Sequence, residues 1–125
     1  MTYIAIFLAF LAVHWFADFV CQTDWQAKNK SKNMDALIRH VLIYTAVFGV
    51  GTVAILGVDS IRTFLYFVLL NGILHLVTDF ITSRITSHLY AKGHNHYFFV
   101  AIGFDQLIHQ VTIAMTLVAM FGDTL

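Results

Sequence analysis

Apolar residues in this 125-residue chain gather into four runs, at roughly 2–22, 36–57, 61–83 and 98–121, with polar stretches between them. A helix needs about 20 mostly apolar residues to cross the hydrocarbon core of a bilayer, and each run is long enough. The pattern predicts an all-α integral membrane four-helix bundle with antiparallel up-down spans, forming a single transmembrane domain over 1–125. The first connection, "TDWQAKNKSKNMD", is polar. The second, "GVDSI", is short and makes the middle helices a hairpin. The third, "RITSHLYAKGHNHY", is expected to continue the third helix beyond the membrane in its first half. No internal repeat, low-complexity tract or linker divides the chain.

Composition agrees with the runs. Hydrophobic residues make up 59% and charged residues 11%, against about 25% charged in a soluble domain. With seven basic and seven acidic residues the formal net charge is zero. A nucleic-acid binder shows a basic patch or stripe, so nucleic acid is not an expected partner; the lipid bilayer is. There is no proline, so no residue type forces a helix to break. Cys21 is the only cysteine, so no intrachain disulfide forms. The start, "MTYIAIFLAF", lacks the basic n-region of a signal peptide and is read as a retained span.

Basic residues orient membrane proteins, because cytoplasmic loops are enriched in Lys and Arg. With four spans, connections one and three share a side, which holds Lys28, Lys30, Lys32, Arg39, Arg84 and Lys92; the other side holds Arg62. This asymmetry predicts an inner (cytoplasmic) membrane protein with both termini non-cytoplasmic. Trp15, Trp25, Tyr90 and Tyr97 read as interface anchors. Gly49, Gly51 and Gly57 read as positions of close helix contact. The "NKS" sequon at Asn29 falls on the expected cytoplasmic side and is discounted.

Ionisable residues inside spans cost on the order of 2.5–3.5 kcal/mol each at the helix centre and by default mark function. Here they are periodic. His14, Asp18 and Gln22 fall at i, i+4 and i+8 on one face of the first helix, with Cys21 alongside. Asn71, His75, Asp79 and Ser83 form a second stripe. Asp105 and His109 are four apart on the last helix, and Thr112 and Thr116 extend their face. His40, followed by Tyr44, opens the second. Each span contributes one His, and all seven His and Asp residues are expected to meet in the cytoplasmic half of the bundle.

His and Asp are nitrogen and oxygen ligands for zinc and similar divalent ions. His14, Asp18, His40, His75, Asp79, Asp105 and His109 are therefore candidate metal ligands, for one or two ions of zinc, manganese or iron. Seven candidates exceed one catalytic site, so either two metals lie about 3.5–4 Å apart or some carboxylates hold ligand histidines in the correct tautomer. Asp18 and Asp105 are candidate general bases. His88, His94 and His96 are expected in a solvated loop.

The segments "HWFADFVCQTDWQAKNK", "LIRHVLIYT", "ILHLVTDFITSR" and "FDQLIHQ" are spread along most of the length of the chain and touch every span. In them the chain resembles the domain of unknown function 3307, a family of small membrane proteins of bacteria and phages. The most specific motifs are His-x3-Asp-x3-Gln and Asp-Gln-x2-His. More distantly, the pattern is similar to predicted membrane-bound metal-dependent hydrolases, which have been likened to helical zinc phospholipases. That second resemblance implies the same seven ligand positions, with Gln22 and Gln106 as supporting groups.

The leading expectation is a metal-dependent hydrolase acting on a lipid or lipid-linked phosphate ester. Alternatives are a proton or metal-ion binding or transport protein, a bis-histidine haem bundle, and a structural or regulatory phage-type protein whose polar layer only fixes helix packing. Apolar outer faces would meet lipid or a second copy, as a homo-oligomer.

Overall fold

Local chemistry starts each helix. In the computed structural model, which describes residues 1–122, the Thr2 hydroxyl accepts from the Ala5 N–H and opens α1, Tyr3–Trp15. Asn33 accepts from the N–H groups of Asp35 and Ala36 and opens α3, Met34–Leu56. Ser60 does the same for α4, Ile61–Ala91, through Thr63. Such caps satisfy N–H groups that a helix leaves unpaired. The last helix, α5, covers Asn95–Phe121. Residues 123–125, the end of the domain expected over 1–125, lie outside the described residues.

Helix α1 does not run on unchanged to residue 22. From Phe16 to Val20 it widens into a π-helical segment, closed by the Cys21 N–H on the Phe16 carbonyl at 3.0 Å. The polar first connection is also not wholly loop. It contains a short helix, α2, Asp24–Asn29, opened by a capping box in which Thr23 and Gln26 bond each other's backbone N–H. Helix α4 continues past residue 83, as expected, to Ala91. Its 31 residues span roughly 46 Å, more than the about 30 Å hydrocarbon core. The third connection thereby shrinks to Lys92, Gly93 and His94. His88 and His96 lie on helices, and like His94 they are exposed.

Four helices are long and apolar enough to cross a membrane: Tyr3–Val20, Met34–Leu56, Ile61–Ala91 and Asn95–Phe121. They form an all-α bundle in which α3 contacts α1 and α4, and α5 contacts α4 and α1. Its surface is that of a membrane protein. Ile4, Leu8, Val50, Ile73, Phe99 and Met115 are all more than half exposed, while the polar residues of the spans face inward. Trp15, Trp25, Tyr90 and Tyr97 are exposed.

Lipid is as apolar as leucine, so burial alone does not drive these helices together; close packing and interhelical hydrogen bonds do. A Cβ added at Gly51 would sit 2.6 Å from Val13 Cγ1, so α1 and α3 touch where only glycine fits. Gly57, by contrast, serves the turn after α3, with φ at 73°. One half of the interior is aromatic: Phe10 lies 5.4 Å from both Phe48 and Phe67, centroid to centroid. The other half, toward α2, is polar. Tyr44 joins the two, stacking on Phe48 and on His75.

Candidate metal centre

Periodicity carries the polar residues inward. His14 and Asp18 come from the α1 stripe, His40 from the second turn of α3, His75 and Asp79 from α4, and His109 from α5. All six are at most 3% exposed. Asp105, one turn before His109, is half-buried. The seven candidates meet in one network that crosses all four long helices.

Their donor atoms fall into two groups that share Asp79. In the first, His40 Nε2 lies 3.0 Å from Asp18 Oδ1, 3.2 Å from Asp79 Oδ2 and 3.2 Å from His75 Nε2. His75 Nε2 lies 3.5 Å from Asp18 Oδ1 and 3.7 Å from Asp79 Oδ2. In the second, His109 Nε2 lies 3.3 Å from Asp79 Oδ1 and 3.5 Å from Asp105 Oδ1. Ligands on a tetrahedral ion with bonds of about 2.0–2.2 Å are separated by roughly 3.3–3.6 Å. The observed spacings bracket that range, so both groups fit a small divalent cation. The first offers four buried donors and the second three. Asp18, Asp79 and Asp105 all line a cavity of about 440 Å³.

His14 belongs to neither group, although it lies 3.7 Å from Asp18. Gln106 explains why. Its Nε2 donates to Asp18 Oδ2 at 3.3 Å and to Asp105 Oδ2 at 3.0 Å. Carboxylates only accept, which fixes the amide orientation. Gln106 Oε1 then accepts from His14 Nε2–H at 3.2 Å. That leaves His14 Nδ1 to accept from the Tyr44 hydroxyl, also at 3.2 Å. Both ring nitrogens are engaged, and His14 orients carboxylates through Gln106. Gln22, the other expected supporting group, lines the cavity, and its Oε1 is buried without a partner among the described residues. Cys21 is half-buried and in neither group. Helical spacing put it on the His14 face, but the π-segment intervenes.

Three further residues complete the centre. Lys30, the residue capping α2, reaches in to donate to Asp79 Oδ2 at 2.7 Å. Thr82 donates to Asp105 Oδ1 at 2.6 Å. The Tyr44 ring lies 3.7 Å from that of His75, 6° from parallel, and fixes its plane. Tyr44 falls one turn after His40 and was visible by spacing. Lys30 carries no such signal, because loop residues have no period.

No functionally curated protein and no solved structure matches this chain. A family model does, over residues 6–125, which takes in every residue of the centre. The chain belongs to the family described as protein of unknown function (DUF3307).

Proposed function

We propose that this is a membrane-embedded, metal-dependent hydrolase that acts on a lipid or lipid-linked phosphate ester at the cytoplasmic face of the inner membrane. The observation that carries the reading is Asp79, whose two oxygens serve two donor groups whose carboxylates, Asp18, Asp79 and Asp105, all line one cavity. Paired sites about 3.5–4 Å apart recur in enzymes that cleave phosphate esters. Zinc suits the mixed nitrogen and oxygen donors, and manganese or iron suits them too. A bound divalent pair supplies Lewis acidity toward a phosphoryl oxygen and lowers the pKa of water.

The chain's own groups do the rest. Asp18, His40, His75 and Asp79 would hold one ion, and Asp79, Asp105 and His109 would hold a second. Asp105 has a side chain 14% exposed, against 4% for Asp18; with a single ion in the first group, Asp105 is no ligand and is the carboxylate better placed to take a proton from water in the cavity. Gln106 and His14 keep Asp18 and Asp105 aimed. The depth of the cavity, beside α2 and the start of α5, suits a headgroup arriving from the bilayer. The aromatic layer of Phe10, Phe48 and Phe67 fills the interior beyond Tyr44, which weighs against a conducting path.

Elemental analysis of the purified protein tests the reading. About two equivalents of a transition metal per chain are expected, with hydrolysis of a phosphate-ester lipid that a chelator abolishes. Protein free of stoichiometric metal after expression in metal-supplemented medium overturns it.

A further inference from the structure

On α4, the hydroxyls of Thr78, Thr82 and Thr86 each reach the carbonyl four residues back, at 2.9, 2.9 and 3.0 Å. This is the usual resting place for a helical hydroxyl. Ser83 departs from it. It is 8% exposed and lines the cavity, and its Oγ has no hydrogen-bond partner among the described residues. An unmade buried hydrogen bond is costly, and a ligand in the cavity would recover that cost. Two cations border the same space. Lys28 is exposed there, and the Lys30 side chain is 18% exposed with its ammonium on Asp79. The cavity also has an apolar lining, from Phe19, Phe98 and Ile102.

We propose that Lys28, Lys30 and Ser83 form a phosphate subsite, and that the apolar lining takes the tail of an amphiphilic phosphate ester. The proposal rests on the hydrolase reading and adds the groups that select the substrate. Lys30 and a divalent cation both claim Asp79 Oδ2. A cation bound there repels the ammonium, which is then free to turn to an anion in the cavity. Without the cation, the three carboxylates Asp18, Asp79 and Asp105 repel phosphate and Lys30 stays on Asp79. Phosphate binding therefore requires prior cation binding. The lysines contribute charge and donors, and the Ser83 hydroxyl contributes one further donor.

Calorimetric titration of the full-length protein in detergent, loaded with zinc, tests this with two probes: inorganic phosphate and a phosphatidic acid with two six-carbon chains. Zinc content is measured on the same samples. Both probes are expected to bind, the lipid more tightly. Lys30→Gln should weaken both by about tenfold or more, and Ser83→Ala by a few-fold, with zinc retained. Lys92→Gln, outside the cavity, should match the wild type. Zinc bound without phosphate binding, or Lys30→Gln and Ser83→Ala both indistinguishable from wild type, overturns the subsite and leaves the hydrolase reading standing. Equal affinities for the two probes overturn the apolar lining and leave free phosphate as the ligand. Failure to bind zinc, manganese or iron overturns both.

Discussion

Asp79 is the residue on which the centre turns, because each of its oxygens belongs to a different donor group and one also holds Lys30. Asp79→Asn keeps the shape but removes the charge that both groups share. Metal content is expected to fall to background, whereas Asp105→Asn, at the edge of one group, should lose no more than one equivalent; elemental analysis of the two variants separates them. Tyr44 acts differently. Tyr44→Phe keeps the stack on His75 and removes only the hydroxyl that holds His14 Nδ1. Interhelical hydrogen bonds in membranes average about 0.6 kcal/mol, so stability should change little in a thermal melt. The loss should appear as weaker metal retention during chelator competition. Most of this centre was legible from period alone, since residues four apart on helices that must hide polarity from lipid have only the interior to face. Lys30 was not legible: it lies 49 residues from Asp79, on a connection where charge reads equally well as a solvated, orientation-setting group. The role of His14 was not legible either, because its ligand-like position is decided by which way Gln106 points.

At the scale of elements, the placement of α1 depends on two irregular features. The first is the contact at Gly51, where Val13 leaves no room for a side chain. Gly51→Ala should push α1 from α3 and cost about 1–3 kcal/mol, as overpacking does. Since α1 carries His14 and leads into the π-segment that carries Asp18, the variant should also lose metal affinity. Val13→Ala in the same chain should restore much of both, which thermal melts and metal analysis of the double variant would reveal. The second is the π-segment. Its i→i+5 bonding changes the helical register before Cys21, which lies in neither donor group, while Gln22 still lines the cavity beside Asp18. Nothing in the composition of "FADFV" announces a π-turn. Helix α2 is another matter: the Thr-x-x-Gln spacing of Thr23 and Gln26 is a capping-box signature, legible beside the lysines that drew attention to orientation instead.

The whole molecule reverses the usual order of a soluble protein, with apolar side chains outward and a charged cluster within. That arrangement makes orientation a functional matter, because the cavity opens at the end of the bundle holding α2 and the α4–α5 turn. From the excess of Lys and Arg at that end we propose that it faces the cytoplasm. Since Cys21 is the sole cysteine, a Cys21→Ser background permits a clean test. Lys92→Cys marks the cavity end and Asp59→Cys the opposite end, and both positions are exposed. In cells with an intact inner membrane and a permeable outer one, a membrane-impermeant maleimide should label Asp59→Cys at once and Lys92→Cys only after the inner membrane is opened. The reverse pattern would turn the cavity to the outer leaflet. The lysines at its mouth would then select from lipids of that leaflet, and Lys28 and Lys30 would serve the anionic ligand without regard to topology.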